Sequence, residues 1–329
     1  MGLTAHNILQ SARQTVFGTA VPTATAKLQG VTSFKPSPEL QARIINELRG
    51  SLAPGFTTVL DGYKASGTFE TEAETYEDIN YWLDSMFSSA TPGGVGPYTR
   101  AYAAPLTAEA APKFMTLQYG QAGGVVQLND ASVGTLTLSG ESNGTLQVGG
   151  SLLASKAVVG AHAALSDRTG NTAIMGDHAG LYIDAWDGTI GTTAITASSF
   201  AWEMSINTNR EYRAYLGSLY PTAWADQRWT GQLKLSLEYN TTTDDYITAL
   251  LADPNALLEK QIRIKYTTGT GATERTLQID FAGKSLQAPE MFTDRNGIVA
   301  YDLILDGVYN TTMANWLKVN TTSNISALA

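Results

Sequence analysis

Apolar and polar positions alternate with period two through much of this chain, and the alternation breaks at glycine, proline, asparagine and aspartate. Leu233, Leu235, Leu237 and Tyr239 face one way against Gln232, Lys234, Ser236 and Glu238. Phe200, Trp202, Met204 and Ile206 alternate as sharply with Ala201, Glu203, Ser205 and Asn207. Side chains along a strand point to opposite faces in turn, so each segment carries one buried and one wet face, as in a half-buried antiparallel sheet. Over 67–73 the same rule sets Gly67, Phe69, Thr71 and Ala73 against Glu70, Glu72 and Glu74. Further strands are expected over 32–48, 114–119, 124–128, 133–139, 144–153, 261–266, 275–281 and 297–305. Asn143-Gly144 and Asn296-Gly297 supply hairpin turns. The period changes to that of a helix in two places. Over 76–87, Ile79, Trp82, Leu83 and Phe87 share a stripe, with Glu77 and Asp78 in the first turn where the helix dipole favours acid. Over 244–253, Ile247, Leu250 and Leu251 do the same, and Pro254 follows. Each predicts one short helix covering the apolar side of its sheet.

These elements come in a repeated order. Leu48-Arg49-Gly50-Ser51-Leu52-Ala53-Pro54 returns as Tyr215-Leu216-Gly217-Ser218-Leu219-Tyr220-Pro221, sharing Gly-Ser-Leu-x-Pro. A glycine-containing strand follows each copy, at Gly67 and Gly231, and an acidic helix start follows that. A repeat half a chain long means two similar domains in one polypeptide rather than a solenoid. The expected division is an N-terminal arm over 1–16, a first domain over 17–155, a connector over 156–180, a second domain over 181–310 and a C-terminal arm over 311–329. Residues 91–112 form a Gly/Pro/Ala-rich excursion after the first helix that the second copy lacks.

Composition narrows the function. With 329 residues there is mass for two cores, and 16% charged residues is too few for a disordered chain. A net charge of −9 lacks the basic footprint of a protein that grips nucleic acid, while like charge suits one that lets it slide past. There is no cysteine, which excludes disulfides and thiolate sites and fits assembly in a reducing cytoplasm. The N-terminal stretch reads as no signal peptide, and no apolar run approaches the ~20 residues of a membrane helix. His6, His162 and His178 are scattered without metal-ligand spacing, and Asp184-Ala185-Trp186-Asp187-Gly188 lacks the remaining ligands of a calcium loop and reads as a turn. Neither a phosphate-binding glycine loop nor a nucleophile elbow is present. No metal, cofactor or enzymatic activity is expected.

Gln14-Thr15-Val16-Phe17-Gly18-Thr19-Ala20-Val21-Pro22 resembles the N-terminal segment of phage tail tube proteins. The order that follows is similar too: two long strands joined by an extended hairpin, one short helix, then strands ending in Leu128-Asn129-Asp130-Ala131-Ser132-Val133-Gly134-Thr135-Leu136-Thr137-Leu138. The resemblance is to the major tail tube proteins of long, flexible-tailed phages, in the version with a doubled tube domain, and it covers nearly the whole chain. It implies a mainly β protein of two tandem β-sandwich or partial-barrel domains, each with one short flanking helix. It also implies rings of three chains with pseudo-sixfold symmetry, stacked around a tape-measure protein, bounded by terminator and tip proteins, and later conducting double-stranded DNA without specific binding. Such a protein is assembled in the host cytoplasm, resides in the virion tail and needs no membrane or cofactor.

Under that resemblance the acids acquire a role. Glu70, Glu72 and Glu74, spaced about 7 Å apart on one strand face, read either as a solvated stripe or as a channel lining, with Glu203 and Glu238 as second-copy candidates. Repulsion screened over roughly 8 Å would keep phosphates off such a wall. Gly50, Ser51, Leu52 and Pro54, with Gly217, Ser218, Leu219 and Pro221, read either as shape-holding turns or as hairpin tips that reach the next ring. Two other classes compete: a surface adhesin or carbohydrate-binding β-sandwich, motivated by Thr/Asn/Trp-rich strands, and an acid/base glycosidase, which would need hydrolysis that Glu72→Gln abolishes.

Overall fold

The computed structural model describes residues 6–45, 47, 55, 57–121, 123–195, 199–240, 248, 258–286, 290–295 and 297–328. Its strands in chain order are β1 Ile8–Arg13, β2 Ala26–Lys27, β3 Val31–Ile45 and β4 Thr57–Thr71, then the helix α1 Ile79–Met86. Next come β5 Tyr98–Ala103, β6 Met115–Gln121, β7 Gly124–Glu141, β8 Gln147–Ala154 and β9 Lys156–Gly160. The second half holds β10 Ala179–Ala185, β11 Ala194–Ile195, β12 Ser199–Asn207, β13 Glu211–Arg213, β14 Ala223–Ala225 and β15 Thr230–Glu238. It ends with β16 Glu259–Thr268, β17 Arg275–Lys284, β18 Glu290–Arg295, β19 Ile298–Gly307 and β20 Leu317–Ser323. The protein is mainly β, and every pairing between named strands is antiparallel.

The pairing pattern repeats. In the first half β2-β1-β6-β7 lie side by side, and in the second β11-β10-β16-β17 do the same. Likewise β3-β4-β8-β7 is matched by β12-β15-β19-β18. The eighteen-residue strand β7 does two jobs. Its first half pairs with β6 and β9, and beyond a bulge near Val133 its second half pairs with β8 and β12. A bulge bends a strand, and here it carries β7 from one layer to the other. The second copy divides the same task between β17 and β18.

The two copies join through β7 and β12, with Leu138 opposite Met204 and Leu136 opposite Ile206. All four side chains are buried, each worth about 1.5–3 kcal/mol of burial. The result is a run of eight strands within the larger continuous sheet, in the order β3-β4-β8-β7-β12-β15-β19-β18. The repeated glycine makes room for packing: a Cβ on Gly231 would lie 2.4 Å from the Trp316 ring.

Helix α1 differs from the expected amphipathic cover, because every residue from Ile79 to Met86 is buried. Trp82 stacks on Phe69 of the sheet at 3.9 Å between centroids, and Thr321 and Arg210 of the second half bond to the helix. Its polar residues are therefore partnered: Asn80 donates to the Tyr76 carbonyl at 2.7 Å and accepts from the Thr321 hydroxyl at 2.6 Å. Asp84 pairs with Arg13 and accepts from the Ala90 amide at 3.1 Å. The expected second helix over 244–253 lies outside the described residues, as does Asn296 of the second hairpin turn, apart from the helical Thr248.

Three segment assignments are corrected. The N-terminal stretch read as an arm contributes β1, held between β2 and β6. The C-terminal stretch read as an arm contributes β20, which pairs with β17 and with β5. The 91–112 excursion contains one strand, β5, which the first copy lends to the second by pairing with β20. The connector contributes β9 to the first copy. All three strands, β1, β9 and β20, are short, five to seven residues, which leaves little room for a period-two pattern to show.

Candidate functional site

The long sheet has one face turned to the core and one polar face. Reading across the polar face, Ser33, Glu70, Gly149, Thr137, Ser205, Gln232 and Asp306 follow one another in register. The next row is Gln147, Ser139, Glu203 and Lys234. Hydroxyls, amides and glycine dominate, with isolated carboxylates among them. Lys234 pairs with Asp302 at 2.8 Å, and Gln232 donates to Asp306 at 3.0 Å. At the seam between the copies the face dips into a cleft of about 400 Å³ lined by Glu141, Gln147, Ala201, Glu203 and Lys234.

Glu70 and Glu203 are exposed on this face, and Glu238 is half-buried at the end of β15. Glu72 is exposed just beyond the end of β4. Two strands separate β4 from β12, so Glu70 and Glu203 stand about 14 Å apart across the sheet. That is too far for a paired-carboxylate hydrolytic site. Among the described residues no group of three His, Cys, Asp or Glu is placed to hold a metal ion. Asp184 of the calcium-like stretch serves a turn: it accepts from the Gly191 amide at 2.6 Å, the Thr193 amide at 2.8 Å and the Thr192 hydroxyl at 2.7 Å. Burial alone would raise its carboxyl, but these bonds outweigh it and hold the group below its ordinary range.

Glu74 is corrected. Strand β4 ends at Thr71, the period-two alternation stops there, and Glu74 turns fully inside. Its backbone bridges the Leu146 carbonyl and the Ile174 amide, both at 2.9 Å. Burial, reinforced by the nearby Asp78, pushes its carboxyl up to about 8. The neighbouring Glu77 and Asp78 are also buried: Glu77 pairs with Arg275 at 3.0 Å, and Asp78 pairs with Arg168 at 2.5 Å. This acidic cluster fastens the start of α1 to the connector and to β17. Its signal in the sequence was four acids within 72–78, all ahead of an apolar helix in a chain poor in charge.

Gly50, Ser51, Leu52 and Pro54 lie outside the described residues, but the hairpin that carries them is visible. Among the described residues, 57–64 of β4 pair only with β3, so the two strands project about 25 Å past the sheet as an arm. Leu40, Ile44, Ile45 and Leu60 are exposed along it. The second copy's loop is used differently. Gly217, Ser218, Leu219 and Pro221 lie between β13 and β14, and Gly217 sits at φ +89°, where glycine costs least. The Leu219 carbonyl accepts from the Tyr63 amide at 3.1 Å, and Tyr220 packs on Tyr63 with centroids 5.4 Å apart. Pro221 is buried. This loop lies against the base of the first copy's arm.

Next to it Arg210, buried, forks onto Asp226 at 2.6 and 3.1 Å and donates to the Ser85 and Met86 carbonyls at 3.2 and 3.0 Å. A cation there satisfies the carbonyls at the negative end of α1. Sequence reading missed Arg210, since a lone arginine after a strand carries no pattern.

Among the described residues, β3 pairs only with β4 and β18 only with β19. The long sheet therefore ends in two unpaired edges, one from each copy. Residues 4–303 match a family model described as phage tail tube protein. No curated protein matches the chain.

Proposed function

The chain belongs to the phage tail tube protein family, and we propose that it is the major tube subunit of a long flexible tail, three chains closing each ring. The observation that carries this reading is the β7–β12 seam. Strand β12 occupies in the second copy the place of β3 in the first, and β18 the place of the second half of β7. The seam within the chain thus provides a template for joining chains: the β18 edge of one pairs with the β3 edge of the next. Three such joints close six tube domains into a ring with no edge exposed to aggregation.

The template fixes a register. Glu203 stands opposite Ser139 at the seam. Position 33 corresponds to 203, and position 290 to 139, by their partners in β4, β15, β8 and β19. Position 33 therefore meets position 290 of the neighbouring chain. The polar face of the long sheet lines the channel, with Glu70, Glu72, Glu203 and Glu238 as its acids. In a chain of net charge −9 they repel a passing duplex over roughly 8 Å. The arm serves ring stacking, and the loop of Gly217, Ser218, Leu219 and Pro221 braces its base. The tube forms around a tape-measure protein between terminator and tip proteins, is assembled in the host cytoplasm, and acts through geometry and charge without catalysis.

The test uses the absence of native cysteine. Ser33→Cys with Glu290→Cys in one chain should give, on oxidation, closed three-chain species on a non-reducing gel. Electron microscopy of the wild type should show end-on rings with apparent sixfold symmetry. Monomers at every concentration, or rings of six chains, would end this reading.

A further inference from the structure

Rings that stack head to tail bring one end of each sheet against the opposite end in the next ring, because identical subunits in an open stack meet through two different surfaces. The arm leaves one end, where Ile45 stands opposite Thr57. At the other end of the same sheet lie the β7–β8 turn of the first copy and the β18–β19 turn of the second. The two differ in chemistry. The β7–β8 turn runs through Ser142, Asn143, Gly144 and Thr145, with Met175 exposed beside it. The β18–β19 tip exposes Phe292, Ile298 and Val299, with Tyr239 packed on Phe292 at 5.7 Å between centroids. Phe292 is 66% exposed and holds φ at +60° in a bulge of β18. A bulky aromatic in the left-handed region is strained, and residues held in such strain cluster at functional sites.

We infer that the β18–β19 tip of one ring receives the β3–β4 arm of a chain in the next ring, the exposed Leu40, Ile44 and Leu60 packing on Phe292, Ile298 and Val299. The inference rests on the stacking reading above and names the surface that completes it. A second copy of this chain is the fitting occupant because both patches are apolar, among the described residues the fifteen-residue arm belongs to the first copy alone and the Phe292 bulge to the second alone, and the two sit at opposite ends of one sheet. Three arms then meet three tips. The axial contact has threefold periodicity although the ring is nearly sixfold, and the two copies of a chain are no longer interchangeable along the tube.

The experiment places a photo-reactive residue at the tip, Phe292→p-benzoylphenylalanine, in the full chain. After irradiation of assembled tubes, mass spectrometry should find the cross-link on residues 40–62 of a different chain. Cross-links confined to β3 near position 33 would make the tip part of the ring joint and overturn the inference while leaving the ring reading intact. Cross-links to no second chain would also overturn it. As a second measurement, Phe292→Asp with Ile298→Asp, and separately Leu40→Asp with Ile44→Asp, should each leave closed rings but cut tubes by more than ~tenfold, since a charge buried in an apolar contact costs at least that. Normal tubes from either double variant would contradict it. A wild type that forms rings but never tubes would remove the stacking reading, and this inference with it.

Discussion

The same hairpin is built twice in this chain and put to opposite uses. In the first copy β3 and β4 run 15 residues each and leave the sheet as an arm with apolar side chains in water. In the second copy β12 and β15 stop at the sheet, and the segment between them folds back through the small β13–β14 ribbon onto the first copy. There Tyr212 is buried against Phe17 and Phe114, and its hydroxyl contacts Ser132 at 2.9 Å. The contrast shows how a duplicated domain diverges. A surface that faces its own copy can be sealed with buried polar anchors, because both partners are always present. A surface that faces another chain must stay presentable in water until that chain arrives.

The largest losses are expected on the sealed side. Arg210→Ala leaves Asp226 and two helix carbonyls buried without their cation, and should cost about 3–5 kcal/mol in chemical unfolding. Trp82→Ala, which removes the ring stacked on Phe69, should cost a similar ~3–5 kcal/mol. Equal losses would mean that the seam is as much a part of the core as α1. A loss under ~1 kcal/mol for Arg210→Ala would mean that the copies are joined by the sheet alone.

Glu74 sharpens the picture through pH. Its folded value of about 8 lies above the ordinary 4.5, so the native state keeps a proton that the unfolded chain releases. Its contribution is therefore present in full below 4.5 and lost as pH climbs through about 8. Glu74→Gln should remove that slope and gain on the wild type between these limits, an effect on the order of a few kcal/mol at the alkaline end. Parallel stability curves for the two proteins would refute the buried, protonated carboxyl. Asp184 carries the opposite sign. Its lowered carboxyl contributes above the ordinary value of 3.8 and is lost as pH falls, so Asp184→Asn should flatten the acid limb of the stability curve. The smallest stability effect is expected for Leu40→Ser with Leu60→Ser in the arm: within about 0.5 kcal/mol, since neither side chain is buried. A larger loss would show the arm to be part of the folded core.

Much of this was legible from the chain alone. The alternation of Leu233, Leu235 and Leu237, and of Trp202, Met204 and Ile206, located β15 and β12 because a half-buried sheet imposes its period on sequence. The paired Gly-Ser-Leu-x-Pro motifs revealed the duplication. What stayed hidden was whatever depends on contact between the copies. Alternation assigns Glu74 to a wet face only while the strand lasts, and nothing in the letters says that β4 ends at Thr71. The helix reads as amphipathic because Asn80, Asp84 and Ser85 are polar, yet each is buried by elements far along the chain. Strand β20 alternates apolar with polar only over Leu317, Lys318, Val319 and Asn320, too short a run to stand out, and its place is set by β17 and β5.

The internal seam also bears on how assembly proceeds. Two domains joined in one polypeptide meet at an effective concentration far above that of separate molecules. The β7–β12 joint is therefore complete before any chain meets another. In the proposed ring of three chains, half of the joints would be formed in advance, and closure would be third rather than sixth order in subunits. In that ring, tethering would lower the subunit concentration needed for nucleation and would allow the two halves to evolve apart without losing their pairing.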